Sequence, residues 1–357
     1  MVQLFVLCPL AFILALFLIH NLRRPAVRLR LVDIPGGRKA HDGEVPLVGG
    51  IGLFATFALV ALLLPNELGS YRGLFFGMGI LLIAGVLDDL HDIRARDKFI
   101  VQMIAAGVLV FWGDLTVAHL GTFPGIGELR LGPLAAPFTL LCVVGLVNAV
   151  NMLDGVDGLA GGVVLVVLAW LSLMAGIEGY PQFIVLPAIL ASAVLAFLVF
   201  NYPHPWRPRA SVFLGDSGSL LLGFAVAWFT LELGTHPGNT VPPITMAWIL
   251  ALPVFDTVIL IGRRLVKGRH PMAADREHLH HIFQRARFTC RSTVYLQLAI
   301  STFMGAVGVG SWLLGVPEWV MYVLLLGVFL GHLYFVMHAW RMVRVIRWVR
   351  GRNRQAA

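Results

Sequence analysis

Aspartates at three places in this 357-residue chain are the side chains best suited to chemistry. They stand as Asp88-Asp89, as Asp154 and Asp157 within Asn-Met-Leu-Asp-Gly-Val-Asp-Gly, and as Asp216 within Phe-Leu-Gly-Asp-Ser-Gly-Ser. One turn of helix would place Asp154 and Asp157 on the same face, and the glycines among them permit close approach of a ligand. Hard oxygen donors without a zinc-type Cys or His pattern favour Mg²⁺ shared with phosphate oxygens. The alternative for each acid alone is a solvated cap at a helix end.

A second cluster, Arg276-Glu-His278-Leu-His280-His281, lies in a basic segment. Arginine and histidine side chains donate hydrogen bonds to anions, so these residues are candidates for contacting a nucleotide diphosphate or a sugar. The alternative is a solvated basic loop that lies on anionic lipid. The cluster therefore predicts an anion-binding role only in combination with the acids.

Two further motifs precede or follow predicted helices. Gly49-Gly50, after Pro-Leu-Val, gives a glycine-rich start to an apolar run, and it is a candidate substrate contact or a simple loop and helix start. Asp256, in Leu-Pro-Val-Phe-Asp-Thr, is an acid inside an apolar run. It either lines the same cavity as the other acids or packs against a neighbouring helix, and the sequence favours neither.

The composition excludes a soluble protein. Hydrophobic residues make up 58% of the chain and charged residues only 13%, whereas soluble domains carry about 25% charged residues. The high hydrophobic content also excludes a disordered chain. A disulfide-rich secreted scaffold is excluded because only 3 cysteines are present and they are scattered. The net charge of +8 is best explained by anionic lipid and membrane topology, so we expect a lipid bilayer and no nucleic acid as partner.

The apolar runs predict an all-α fold, a polytopic helical bundle of about 11 transmembrane helices. Each run approaches the roughly 20 residues that a spanning helix needs. The predicted spans are Val2–Ile19, Gly49–Leu64, Gly73–Leu87, Phe99–Trp112, Leu134–Val150, Leu159–Ala175, Phe183–Phe200, Leu220–Leu233, Ile244–Ile261, Val294–Leu314 and Trp319–His338.

The positive charges predict the sidedness of this bundle. With the N-terminus in the periplasm and the C-terminus in the cytoplasm, all Lys and Arg residues except Arg72 and Arg130 fall on the cytoplasmic side. The motif aspartates fall at the same boundary. We therefore predict one integral-membrane domain, 1–357, with cytoplasmic connections near 21–48, 88–98, 151–158, 201–219 and 262–293 and a tail at 339–357.

Taken together, these motifs resemble the polyprenyl-phosphate N-acetylhexosamine-1-phosphate transferase family, a glycosyltransferase 4 type. The resemblance runs along essentially the whole chain, and its motifs occur in the family's order. They are Pro46-Leu-Val-Gly49-Gly50, Asp88-Asp89, Asn151-Met-Leu-Asp154-Gly-Val-Asp157-Gly, Phe213-Leu-Gly-Asp216-Ser-Gly-Ser and His278-Leu-His280-His281.

The resemblance implies transfer of a sugar phosphate from a UDP-sugar, expected to be UDP-GlcNAc, to undecaprenyl phosphate, with Mg²⁺ or Mn²⁺ and release of UMP. It implies a bacterial inner-membrane enzyme with a cytoplasmic active site, acting at the first membrane step of lipopolysaccharide O-antigen or a related surface glycan. By analogy, Asp216 is the metal ligand, Asp88, Asp89, Asp154 and Asp157 are catalytic, and Asn151, Arg276, His278, His280, His281, Gly49 and Gly50 bind substrate.

Two alternatives remain at this point. One is the same reaction with another UDP-N-acetylated sugar. The other is an ion-coupled secondary transporter, which would need acids near the bilayer midplane and two structurally repeated halves. Here the motif acids cluster at one boundary and no such repeat is evident, so the transferase is favoured.

Overall fold

The computed structural model describes residues 2–34, 43–64, 71–268 and 278–355, with side chains as far as residue 348. Long apolar helices dominate this part of the chain, because a helix satisfies every backbone polar group internally where lipid offers no partner. The helices are α1 (Val2–Arg28), α2 (Gly49–Ala61), α3 (Arg72–His91), α4 (Ala95–Gly107), α5 (Ala135–Leu153), α6 (Leu159–Ile177), α7 (Gln182–Asn201), α8 (Gly215–Gly234), α9 (Pro243–Ile249), α10 (Ala251–Val266), α11 (Leu279–Arg285), α12 (Cys290–Leu313), α13 (Glu318–Met337) and α14 (Ala339–Gln355).

Eight helices among the described residues are long and apolar enough to cross a membrane, or nine if the bent pair α9 and α10 forms one span. A polytopic helical membrane protein is thus confirmed, whereas the count of 11 and the orientation of the termini stay predictions. Two predicted spans correspond to helices that are not among these eight. α2 has only 13 residues, and α4 begins among charged residues and continues as a π-helical turn over Val108–Trp112.

The predicted span Ile244–Ile261 is broken in the structure. α9 and α10 meet at Leu250 with a bend of 78°. Pro253 lies in the first turn of α10. Its ring lacks an N–H and crowds the carbonyl four residues earlier, so a straight helix cannot run from Ile249 into α10. The bend separates the apolar helix α9 from α10, which carries Asp256.

Helix α8 lies at the centre of the bundle. Neighbours α2, α3, α5 and α6 all pack against it, and 83% of its apolar stretch is buried. A helix that is apolar on all sides is expected in such an interior position. Because α8 begins with the Gly-Asp-Ser-Gly-Ser motif, its central place also fixes the position of Asp216 relative to the surrounding helix ends.

Two small antiparallel hairpins depart from the all-helical prediction. β1 (Val32–Asp33) pairs with β2 (Val45–Pro46), directly before α2. β3 (His119–Phe123) pairs with β4 (Gly127–Arg130). The turn of the second hairpin contains Pro124-Gly125, and Gly125 adopts a φ of +76°, a conformation that glycine reaches without steric cost. This Pro-Gly signal is visible in the sequence and marks a turn.

Candidate active site

The carboxylates of Asp88 and Asp216 meet on one ammonium group. Asp88 lies in the last turn of α3, and Asp216 lies in the first turn of α8. The Nζ atom of Lys98, near the start of α4, donates hydrogen bonds to Oδ2 of Asp88 and, at 2.7 Å, to Oδ2 of Asp216. The ends of three helices therefore build a carboxylate–ammonium–carboxylate group. Together with Asn151 we call these residues the acidic centre.

Lys98 remains charged in this environment. Burial alone would lower the pKa of its ammonium group, but the charges and hydrogen bonds of Asp216 and Asp88 outweigh burial and raise the pKa above the ordinary lysine value. In the sequence pattern, Lys98 counts only as one of the charges that predict topology. A lysine at the cytoplasmic start of a predicted span, on the same side as the acids, is the signal that could have identified it.

Asn151 fixes the orientation of Asp216. Its Nδ2 donates to Oδ1 of Asp216 at 2.7 Å and contacts the Ser219 hydroxyl at 2.8 Å. Ser219 in turn donates to the carbonyl oxygen of Gly215 at 3.1 Å. Asn151 lies near the end of α5, so the fourth member of the acidic centre comes from a fourth helix. The structure thus brings Asn151 and Asp216 together, and the substrate-binding role of Asn151 stays a prediction.

Asp89 caps the start of α8 from a different helix. Its two carboxylate oxygens accept hydrogen bonds from the backbone N–H groups of Asp216, at 2.8 Å, and Ser217, at 3.2 Å. These N–H groups have no partner inside α8, and a carboxylate there also interacts favourably with the helix dipole. Asp88 and Asp89 therefore make different contacts. The structure gives Asp89 a positioning contact with the Asp216 backbone, while its catalytic role stays a prediction.

Replacing Asp89 with alanine is expected to destabilise the protein by about 1–2 kcal/mol, because two N–H groups at the start of α8 lose their acceptor. The measurement is thermal unfolding of the purified protein in detergent, compared with Asp97→Asn, which removes a charge from a half-exposed side chain at the start of α4. An unchanged melting temperature for Asp89→Ala would contradict the capping role.

Gly49 and Gly50 hold the start of α8 against α2. The N–H of Gly49 donates to the carbonyl of Phe213, and the N–H of Gly50 donates to the carbonyl of Leu214, both at 3.1 Å. A Cβ atom on Gly50 would stand 2.3 Å from the backbone nitrogen of Gly218. Any larger side chain would thus push α2 away from α8. The structure shows a packing role for both glycines, and their contact with substrate stays a prediction.

Asp154 and Asp157 follow α5 in the turn that leads to α6. Burial, followed by the negative charges of Asp216, Asp157 and Asp89, holds the pKa of Asp154 well above its usual range. Asp157 accepts a hydrogen bond from the backbone N–H of Ala210 at 3.3 Å. The negative charge of Asp216 in the acidic centre therefore acts on the Asp154 carboxyl group. The Asp157 carboxylate contacts the loop that precedes α8.

The histidine cluster is anchored by Asp256. Nδ1 of His278 lies 2.9 Å from Oδ2 of Asp256, and the backbone N–H of Leu279 donates to Oδ1 at 3.1 Å. Because a carboxylate only accepts, Nδ1 of His278 carries the proton. Asp256 is 2% exposed. Of the two interpretations left open by the sequence, the structure shows that Asp256 contacts the histidine motif and joins α10 to the start of α11.

His280 lies between the histidine motif and the aspartate turn. Its ring stacks on His278 with centroids 5.3 Å apart, and its Nε2 lies against Gly155, where a Cβ atom would come within 2.9 Å. Burial and the neighbouring His281 and His278 lower the pKa of His280 to about 3, so the ring is neutral at neutral pH. Within the described part of the chain, neither ring nitrogen has a hydrogen-bond partner although the side chain is buried. Such a group suits a polar ligand.

Replacing Asp256 with asparagine is expected to lower the rate of the sugar-phosphate transfer that the sequence resemblance implies, with its release of UMP, about 10- to 100-fold, a loss of the size seen when a carboxylate that orients a metal-ligating histidine is removed. The substitution keeps the size of the side chain but removes the charge that holds His278. The rate is measured as UMP release beside Glu232→Gln, which neutralises a half-buried acid near the other end of α8. Wild-type activity in Asp256→Asn, at an unchanged melting temperature, would show that His278 needs no such orientation.

The acidic centre suits a divalent cation in its donor chemistry. Among the described residues, no three His, Cys, Asp or Glu side chains are already arranged as a metal-binding group. However, Asp88 and Asp216 place hard carboxylate oxygens around one positive charge, that of Lys98. Oxygen donors of this kind are preferred by Mg²⁺. The residues present thus fit the cation that the sequence predicts.

The structure brings most of the predicted site residues to one end of the bundle. Asp216 contacts Asn151 directly and shares the Lys98 ammonium with Asp88, and Asp89 is bonded to the backbone of Asp216. The histidine motif approaches through Gly155. Arg276 lies outside the described residues. The residues that the sequence analysis missed as site residues are Lys98 and Ser219.

The fold and the site define a helical membrane protein whose polar centre is assembled from helix ends. A family model described as glycosyl transferase family 4 matches residues 71–234, which include the acidic centre. Proteins named undecaprenyl-phosphate alpha-N-acetylglucosaminyl 1-phosphate transferase match along nearly the whole chain. That of Salmonella typhimurium is 35% identical, covering 96% of this chain and 94% of the relative. That of Escherichia coli K12 is 35% identical, covering 93% and 91%, and that of Haemophilus influenzae is 34% identical, covering 96% of both.

The chain therefore belongs to glycosyl transferase family 4, the polyprenyl-phosphate N-acetylhexosamine-1-phosphate transferases, and is a phosphoglycosyltransferase. The family predicted from the sequence motifs is confirmed.

Proposed function

We propose that the enzyme transfers N-acetylglucosamine 1-phosphate from UDP-GlcNAc to undecaprenyl phosphate, giving GlcNAc-pyrophosphoryl-undecaprenol and UMP. The observation that carries this proposal is the meeting of Asp88 and Asp216, at the ends of two helices that are apolar enough to span a membrane, on the ammonium group of Lys98. A membrane-anchored phosphate and a cytosolic nucleotide can meet only at such a boundary. The names of the similar transferases support this sugar and this lipid.

The reaction joins two anions, so the site must offset their repulsion. In the step we favour, an oxygen of the lipid phosphate attacks the β-phosphorus of UDP-GlcNAc in line with the leaving group. The bond between the β-phosphorus and the bridging oxygen breaks, and UMP leaves with that oxygen and the bonding electrons. A phosphate monoester has a second pKa of about 6, so the nucleophile is mostly ionised at neutral pH. Asp88 then needs only to orient it or to accept a residual proton.

The cofactor we propose is Mg²⁺, with Mn²⁺ as an alternative, held by Asp216 with help from Asp88. When bound, such a cation neutralises charge on the phosphates and on the departing UMP. Lys98 supplies a further fixed positive charge next to the same carboxylates. Asp89 keeps the backbone of Asp216 in place, and Asn151 holds its side chain. The metal ligand thus depends on two positioning contacts.

The sugar nucleotide is assigned to the region between the aspartate turn and the histidine motif. We propose that Asn151, Asp154 and Asp157 help to hold the nucleotide and its metal, and that Arg276, His278, His280 and His281 contact the sugar nucleotide. This assignment is supported by His280, whose two buried ring nitrogens have no hydrogen-bond partner among the described residues. Gly49 and Gly50 then act through the packing of α2 on α8.

Direct attack by the lipid phosphate predicts no covalent enzyme intermediate. Labelled UMP is therefore expected not to enter UDP-GlcNAc when the lipid acceptor is absent, because the enzyme alone cannot take up the sugar phosphate. The measurement is isotope exchange with purified enzyme, Mg²⁺, UDP-GlcNAc and labelled UMP. Exchange without acceptor would show that a phospho-aspartate forms. Exchange that appears only after undecaprenyl phosphate is added is the positive control.

The donor is tested with a panel of UDP-sugars. Purified enzyme with undecaprenyl phosphate and Mg²⁺ is expected to release UMP from UDP-GlcNAc, and removal of divalent cations with EDTA is expected to stop the release until Mg²⁺ is restored. Release from another UDP-N-acetylated sugar alone would overturn the donor assignment but keep the reaction class. No release from any donor would overturn the proposed function.

In the cell we place this reaction at the bacterial inner membrane, as the first membrane step of lipopolysaccharide O-antigen or a related surface glycan. The charge distribution supports a periplasmic N-terminus, a cytoplasmic C-terminus and 11 spans, with the acidic centre facing the cytoplasm. Such an arrangement gives the site access to a nucleotide sugar made in the cytosol. Labelling of single cysteines placed at the two termini tests this orientation.

A further inference from the structure

Helix α14 carries six arginines and no acidic residue. It begins two residues after the end of α13, a helix that is apolar enough to span a membrane and of which only 11% is buried in the protein. The low burial of α13 leaves most of its surface to lipid. α14 therefore starts at a membrane boundary. It combines arginines with two tryptophans, and a helix that contacts only water has no need of the tryptophans.

The two faces of α14 differ in what they contact. Ala339 and Val343 are each 3% exposed and face the protein. On the outer surface, Trp340 is 67% exposed and Trp348 is 59% exposed. Arg341 and Arg344 are exposed on the same outer arc. Tryptophan with arginine on one exposed helix face is typical of a helix that lies in the interface of a bilayer, since the rings sit at headgroup level and the guanidinium groups bind anionic lipid.

α14 also holds the helix that carries the histidine motif. Nε of Arg347 donates to the carbonyl oxygen of Arg285 at 3.1 Å, and a second nitrogen of the same guanidinium group donates to that oxygen. The Arg285 guanidinium lies over the Trp340 ring, 5.4 Å from its centroid. Arg285 is the last residue of α11, the short helix that includes His280 and His281.

We propose that α14 docks on the anionic surface of the lipid bilayer and, through Arg347 and Trp340, restrains α11 and its histidines. The exposed Arg341 and Arg344 provide the charge complement to anionic headgroups, and the exposed tryptophans provide the apolar contact. A second copy of this chain would bring the same basic helix to the contact, so charge disfavours it. The proposal does not depend on which reaction the enzyme catalyses.

The test uses hydrogen exchange of the full-length enzyme in nanodiscs. Discs of phosphatidylcholine alone are compared with discs that also contain phosphatidylglycerol. We expect the amides of 339–348 to exchange about 10-fold more slowly in the anionic discs, because bound α14 opens less often. Arg341→Gln with Arg344→Gln is expected to remove this difference. Arg24→Gln with Arg28→Gln, which removes the same charge from the exposed end of α1, is expected to retain it.

The link to α11 has its own readout. Arg347→Gln is expected to restore fast exchange in 279–285 while 339–346 stay protected in anionic discs, because only the contact with Arg285 is lost. Equal exchange of α14 in the two kinds of disc would overturn the docking surface. Protection in neutral discs that rises with the number of copies per disc would also overturn it, in favour of contact between copies. Exchange in 279–285 that does not respond to Arg347→Gln would overturn the coupling.

Discussion

Asp216→Asn is expected to lower the rate of UMP release about 1,000-fold or more. The substitution keeps the shape of the side chain and one oxygen for Asn151, but it removes the negative charge that binds Lys98 and, in our proposal, the divalent cation. A metal that stabilises charge on transferring phosphates contributes several kcal/mol, and each 1.4 kcal/mol corresponds to about a factor of ten in rate. The measurement is UMP release across a range of Mg²⁺ concentrations.

Asp97→Asn is the matched control for this experiment. It removes one carboxylate charge at the start of α4, from a side chain that is 49% exposed and lies outside the acidic centre. Its rate is expected to stay within about twofold of wild type. If Asp216→Asn kept substantial activity with an unchanged Mg²⁺ dependence, Asp216 would not be the metal ligand.

Lys98→Met is expected to lower the rate at least about 100-fold, the loss seen when a fixed charge that stabilises the transition state is removed. Methionine keeps an unbranched side chain of similar length but leaves the Asp88 and Asp216 carboxylates without their shared ammonium. Lys98→Arg keeps the charge with a different geometry, so an intermediate rate is expected. Steady-state UMP release at saturating UDP-GlcNAc measures both variants.

Arg96→Met separates this role from a general loss of positive charge. Arg96 lies two residues from Lys98, with 82% of its side chain exposed, and its replacement is expected to leave the rate nearly unchanged. Lys98 could instead be a simple counterion that a divalent cation displaces. Lys98→Met would then bind Mg²⁺ more tightly and keep its rate, and this result would contradict a role for Lys98 in transfer.

The part of the site that the sequence predicted depends on topology. Asp88, Asn151 and Asp216 were expected at one boundary because each follows or begins an apolar run on the same side of the charge pattern. In the structure the ends of α3 and α5 and the start of α8 meet, so that Asp216 contacts Asn151 and shares Lys98 with Asp88. Alternation of spans fixes the side on which a helix ends, and in a tightly packed bundle this alone brings polar helix ends together.

The part that the sequence did not predict depends on tertiary contacts. Lys98 is a surface-type residue in sequence, and only the approach of α4 to α3 and α8 turns it into the partner of two acids. Asp88 and Asp89 are identical in type and adjacent in sequence, yet they face different partners. The bend at Leu250 follows from Pro253. The sequence predicted one straight span there, because the continuous run of apolar residues was given more weight than the proline.

The most direct test of the account is identification of the lipid product. Purified enzyme is incubated with undecaprenyl phosphate, Mg²⁺ and UDP-GlcNAc, and the lipid is extracted for mass spectrometry while UMP is quantified. We expect GlcNAc-pyrophosphoryl-undecaprenol and UMP in equal amounts, with neither formed by Asp216→Asn. A lipid that carries GlcNAc through a single phosphate, with UDP released in place of UMP, would contradict the transfer of a sugar phosphate.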